Sequence, residues 1–177
     1  MSVTFLLSSL PTLEFGVAAP FSIADYRHRC ETIDGVSLGD FDAVEAGTPG
    51  SHQFTISYAN ALTEIKNATA SFRATKWEGE NIRVSERSYS GCHVALRQKI
   101  ADACNMKNPF EREMALGLAL WQIVEELAGL SYFSEAKAYA YIVKLQINNR
   151  LASFNDKLGK QVIEEFIKAN DREVAPN

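Results

Sequence analysis

The chain has 177 residues, 46% of them apolar and 23% charged, with 18 Lys and Arg against 22 Asp and Glu for a net charge of −4. That length carries one domain or two tightly packed halves and needs no covalent staples, and the slight acidic surplus argues against a non-specific nucleic-acid binder. Three cysteines, Cys30, Cys92 and Cys104, are too sparse and odd in number for a disulfide framework and point to a reducing compartment.

The chain starts MSVTFLLSSLP, with a short apolar run and no basic residue before Arg27, which does not fit a secretory signal. Residues 1–20, with Pro11, Gly16 and Pro20, read as an extended, anchored arm whose Phe5, Leu6 and Leu7 tuck onto the body. Residues 22–33 read as a short helix, with Ser22 and Asp25 as the two halves of a capping box. Ser37 and Asp40 repeat the pattern before a second short helix to about Ala46, which Gly47, Pro49 and Gly50 stop. From Ser51 to about Trp77, Phe54, Tyr58, Ala61, Leu62, Ile65, Ala68 and Phe72 recur at helical spacing and form one stripe.

Residues 78–91, EGENIRVSERSYSG, are polar and aperiodic and read as a long loop that divides the chain. Beyond it, Val94, Leu96, Ile100 and Cys104 mark a helix from about His93 to Asn105. The next start is signalled by Asn108 as N-cap, Pro109 at the first helical position and Glu111 at the capping-box position. This helix runs to about Ala128, where Gly129 offers a left-handed stop. Ser134 caps a helix to about Ser153, in which Asn148 and Asn149 have apolar neighbours, so one of the two should face solvent. Leu158, Val162, Ile163, Phe166 and Ile167 form the stripe of a last helix before a polar tail from Asp171 to Asn177. The expectation is an all-α, compact helical bundle of about six to seven helices. It comprises an N-terminal half (1–77), a polar loop (78–91), a C-terminal half (92–170) and a frayed tail (171–177).

The chemical motifs are few. Phosphate-cradling GxxxxGK[ST] and GxGxxG do not occur, nor do CxxC, HxxxH, HExxH or GxSxG, so no cofactor, metal or catalytic residue is assigned. Cys92 and His93 are adjacent in the loop region and could form a thiolate pair, but no orienting residue is identifiable beside them. The carboxylate pairs Glu125–Glu126 and Glu164–Glu165 diverge by about 100° on a helix and read as solvated faces. Arg83, Arg87, Arg97 and Lys99 give the loop region a basic tint, open to a solvated loop or to a patch for an acidic partner. Trp121, within the apolar MALGLALW, reads first as core and second as a contact with another subunit. No window reaches the ~20 apolar residues of a membrane span.

Two stretches carry a resemblance. FLLSSLPTLEFG (5–16) with PFSIADY (20–26), and NPFEREMALGLALWQIVEEL (108–127) continuing through SYFSEAKAYAYIVKLQINNRLASFNDKLGKQVIEEF, resemble a bacterial family that accompanies V-type ATPase operons and is regarded as C-subunit-like. The likeness runs from Phe5 to about Phe166 and is strongest after Asn108. It implies a non-catalytic central-stalk or rotor component similar to the C subunit (d in eukaryotes), a helical socket between the central-shaft subunits and the membrane rotor ring. On this reading the chain is cytoplasmic, peripheral to the inner membrane through the ATPase, and neither enters the bilayer nor binds nucleic acid. Candidate interface residues are Phe110, Trp121, Arg83 and Arg87. A helical adaptor or assembly factor is the alternative, and a small enzyme using Cys92 and His93 is a third. The chain is shorter than the three-part archaeal protein. Gly117, Leu118 and Leu120 stand where the bacterial family tends to place charge, which implies deeper burial or an altered contact surface there.

Overall fold

A computed structural model describes residues 1–75, 84–91 and 94–154. The described residues form seven α-helices and no strand: α1 (Val3–Ser9), α2 (Ile23–Cys30), α3 (Leu38–Ala46), α4 (Gln53–Thr75), α5 (Val94–Asn105), α6 (Pro109–Ala128) and α7 (Glu135–Ser153). The last sequence-predicted helix, from Leu158, and the polar tail lie outside the described residues, as does Trp77.

The capping residues set most of these boundaries. Ser22 and Asp25 close a reciprocal capping box on α2, and the Ser37 hydroxyl accepts the Asp40 N–H at the start of α3. Gly47 ends α3 in the left-handed conformation at φ 65°. The Ser134 hydroxyl accepts the Lys137 N–H to start α7. At α6 Asn108 is the N-cap, its side chain accepting the Phe110 N–H, and Pro109 opens the helix as the sequence indicates. The Gly129 expectation needs correcting, because its positive φ comes with an extended ψ of −173°, so it turns the chain without a left-handed cap.

The arm also differs from its sequence reading. Residues 3–9 are helical and not extended. Seven residues are too few to hold a helix alone, and contacts made elsewhere in the fold supply the stability. The Ser2 hydroxyl accepts the Phe5 N–H, the Met1 ammonium donates to the Thr32 carbonyl at 2.7 Å, and Leu6 is buried. Phe5 stays exposed. Beyond α1 the arm runs extended over α7. There Asn148 Oδ1 accepts the Gly16 N–H at 3.0 Å, its Nδ2 donates to the Glu14 carbonyl at 2.9 Å, and the Tyr141 hydroxyl donates to the Pro11 carbonyl. The buried member of the Asn148–Asn149 pair is therefore Asn148, both of its polar ends paired to the arm, while Asn149 faces out.

Among the described residues the core has two clusters, and the boundary between them does not fall at the loop. The larger joins α1, α2, α3, the first half of α4, α6 and α7 around Tyr26, Phe41, Phe54, Tyr58 and Tyr139. The Tyr26 hydroxyl donates to the Ala138 carbonyl, and the Tyr139 hydroxyl accepts the Ser37 N–H, so each of these two buried rings keeps its polar end satisfied. The smaller cluster joins α4, α5 and α6 through Ala61, Leu96, Ile100, Cys104, Ala119 and Ile123. Both halves of the sequence thus contribute to the larger core.

Buried polar groups lock the segments around α4. Asp40 accepts from the Ser51 N–H, the Ser51 hydroxyl, the His52 N–H and the Thr55 hydroxyl at 2.7–3.0 Å, which fixes the turn entering α4. Gly50 makes this possible, because a Cβ there would sit 2.1 Å from Asp40 Oδ1. Farther along α4, the buried Glu64 receives the Arg97 Nε–H at 2.8 Å from α5. Asn67 grips the Arg87 peptide from both sides, with its Oδ1 accepting the N–H and its Nδ2 donating to the carbonyl. The described part of the polar loop is thereby pinned to α4.

Candidate functional site

Helices α6 and α7 form an antiparallel hairpin, and its register is visible in cross-helix pairs. Lys144 reaches Glu125 at 2.7 Å, Arg150 pairs with Glu113, and Ile147 lies against Gly117. Glu125 is held below its ordinary pKa by the Lys144 hydrogen bond, which outweighs its partial burial. Lys144 also lies 4.7 Å above the Trp121 ring, so one cation ties the helix pair to the indole.

Each end of this hairpin carries exposed apolar side chains. At the open end Asn108 and Pro109 start α6 and set Phe110 within its first turn, while α7 stops at Phe154. The two rings meet edge to face at 6.2 Å and remain 50% and 44% exposed. At the closed end Gly129 turns the chain out, and Leu130, Tyr132 and Phe133 precede the Ser134 cap at 98%, 83% and 52% exposure. Twenty residues of α6 separate the ends by about 30 Å. Large apolar groups gathered at two such places are the informative departure from a polar surface.

Of the interface candidates, Phe110 is at the open end. Trp121 is in the core, 6% exposed, with the edge of Phe15 at 5.7 Å, so it presents no surface to a partner. Arg87 is exposed on the pinned loop segment, remote in sequence from either patch. Arg83 lies outside the described residues, as do Cys92 and His93. Gly117 gives room to Phe15, Leu118 is exposed, and Leu120 is half-buried, so the helix before Trp121 combines deeper packing with an apolar outer position. Sequence reasoning missed Leu130, Tyr132, Phe133 and Phe154. The signal for the first three was the apolar LSYF placed between a helix stop and a helix cap, where no stripe can bury it.

The buried polar groups act as braces in the fold. Ser51 gives its hydroxyl proton to Asp40, and His52 Nδ1 accepts the Phe54 N–H at 3.0 Å, which leaves Nε2 carrying the proton and facing Glu135 at 3.6 Å. The neighbouring Ser, His and Asp therefore cap and brace α4, and their geometry is not that of a nucleophile beside its base. Burial would raise the Asp40 pKa, but the hydrogen bonds from His52, Ser51 and Thr55 prevail and hold it below the usual carboxylate range. Burial pushes the Cys30 thiol up to about 11, and Cys104 is also buried. In a Cys92→Ser protein, both thiols are expected to stay silent to an aromatic disulfide reagent at pH 7–8 until denaturant is added. Labelling within the mixing time would show the packing around them to be open.

Among the described residues no three His, Cys, Asp or Glu side chains gather as a metal set, and no helix is long and apolar enough to cross a membrane. Comparison with protein-family models, curated proteins and solved structures finds no match for this chain.

Proposed function

We propose that the chain is a non-catalytic coupler that holds two protein partners, one at each end of the α6–α7 hairpin, within the central stalk of a V-type ATPase. The observation that carries the coupler reading is the pair of exposed apolar ends, Phe110 with Phe154 and Leu130 with Tyr132 and Phe133, set about 30 Å apart on one braced helix pair. Apolar and aromatic groups of this kind form the cores of protein interfaces, where burial supplies the affinity. A strut that transmits force between partners also has to be stiff. Trp121, Lys144 and the cross-helix ion pairs brace its length, and the aromatic core backs it.

The assignment to the ATPase rests on the sequence resemblance in residues 5–26 and from Asn108 onward. On that reading the partners are the central shaft and the membrane rotor ring, and the chain is peripheral to the inner membrane through them. Purification of the ATPase from native membranes by way of a tagged ATP-hydrolysing chain tests this. One copy of the present chain per rotor is the expected stoichiometry. Its absence from intact enzyme, with presence only on partly assembled particles, would assign it to assembly instead.

A further inference from the structure

The outer side of α4, α6 and α7 encloses an apolar groove of about 330 Å³, with Leu62, Ile65, Leu116, Leu120 and Ile147 among its walls. That volume lies at the lower end of the range for small-molecule sites. Spread along the ~16 Å from Leu62 to Arg73 on α4, it makes a slot roughly 4–5 Å wide. One methylene chain in van der Waals contact with its walls needs that breadth. An α-helix, about 10 Å across with its side chains, needs twice as much or more. The polar groups are set along one face of α4. Lys66, Thr69 and Arg73 follow at spacings of three and four, and all three line the groove. Lys66 and Arg73 are exposed and have no carboxylate partner among the described residues, whereas Arg150 and Glu113 at the margin pair with each other. The Thr69 hydroxyl is buried and has no hydrogen-bond partner among the described residues. A helical threonine divides between two χ1 rotamers, so one rotation carries this donor to an acceptor placed in the groove.

We propose that the groove binds a medium-chain fatty acid as its carboxylate. The tail lies along Leu62, Ile65 and Leu120, and the head sits between Thr69 and Arg73 with Lys66 one turn back. Burial of the methylenes against the apolar walls supplies the affinity. Two cations without competing carboxylates and a hydroxyl donor select the anionic head through charge-assisted hydrogen bonds. The groove also sets the chain length. Thr69 lies seven residues beyond Leu62, about 10 Å along the helix. An extended alkyl chain with carbon–carbon bonds of about 1.5 Å advances about 1.25 Å per methylene, so about eight methylenes fill that distance and decanoate matches it. This assignment stands whether or not the stalk reading holds.

Isothermal titration of octanoate, decanoate and decanol into the full-length chain tests it, each ligand kept below the concentration at which it self-associates. Decanoate is expected to bind at one saturable site. Octanoate, two methylenes shorter, should bind about tenfold more weakly. Decanol keeps the chain and lacks the charge, and should also lose about tenfold or more. Lys66→Glu with Arg73→Glu should weaken decanoate at least tenfold and leave decanol unchanged. Thr69→Val removes the orphan hydroxyl at nearly constant volume, and should weaken decanoate several-fold while Tm stays level or rises. Ala70→Trp fills the groove, which Ala70 also lines, and should abolish binding. Lys66 and Arg73 are exposed, so the charge variants keep the test decisive even if the tryptophan variant does not fold. Equal affinity for decanoate and decanol, decanoate affinity indifferent to the two charge reversals, or no saturable site would overturn the proposal. Undiminished binding to a folded Ala70→Trp protein would place the ligand outside the groove and overturn it as well.

Discussion

Trp121→Ala is expected to cost about 3–5 kcal/mol of folding stability, the usual range for emptying a buried aromatic site. For a chain whose whole stability is of the order of 5–15 kcal/mol, that is a large fraction. The indole is 6% exposed, meets the edge of Phe15 at 5.7 Å and supports Lys144 on its face. Truncation therefore removes apolar burial and also the anchor of the arm between α1 and α2. Phe15 then keeps its place beside Gly117 but loses the ring it meets edge to face, and the Asn148 clamps on Glu14 and Gly16 lose part of their backing. Denaturant unfolding measures the total. Amide exchange at Gly16 measures the release of the arm and should accelerate in the variant more than exchange in α3. Equal stability of the variant and the parent would show that Trp121 is not the centre of this contact.

The second large effect is at Asp40. Asp40→Ala leaves the Ser51 and His52 N–H groups and the Ser51 hydroxyl without their acceptor in a site that is 3% exposed, while the Thr55 hydroxyl keeps the His52 carbonyl. The loss is expected to be about 2–4 kcal/mol, which at this chain length lowers Tm by roughly 5–15 °C. The effect has a defined pH signature. The folded-state pKa of Asp40 is held below its unfolded value of about 3.9. Its ionised form thus stabilises the fold fully at pH values above the unfolded pKa, and that contribution disappears as pH falls through the folded pKa. Asp40→Asn should accordingly lose stability at pH 7 and show a flatter decline toward acid than the parent. Asp42→Ala is the control. Asp42 pairs with Arg27 on the surface, and removal of an exposed ion pair costs less than about 1 kcal/mol. Thermal melts from pH 7 to pH 3 on the parent and the three variants check the ordering.

Local chemistry was readable in the sequence, and long-range pairing was not. Ser22 with Asp25, Ser37, Asn108 with Pro109, and Ser134 mark their helix starts because a cap is decided within four residues. α1 escaped because its stability comes from Thr32 and the core and not from its own seven residues. Glu64 and Asn67 sit on α4 where a helical wheel would place them in solvent. Their burial depends on Arg97 and on the Arg87 peptide, 33 and 20 residues away. Trp121 was open to core or interface on sequence grounds, and the arrival of Phe15 from the arm and of Lys144 from α7 decides for core. The exposed Leu130, Tyr132 and Phe133 were passed over because helical spacing singles out stripes on helices, and these three lie in a turn.

The two ends of the α6–α7 hairpin should hold different proteins. Photo-reactive benzoylphenylalanine at Phe133 in one strain and at Phe110 in another, irradiated in the native cells, tests this directly. Each position is expected to capture one protein in good yield, and the two captured proteins should differ, a central-shaft component at one end and a rotor-ring component at the other. Capture of the same protein at both ends, or of none at either, would contradict the coupler.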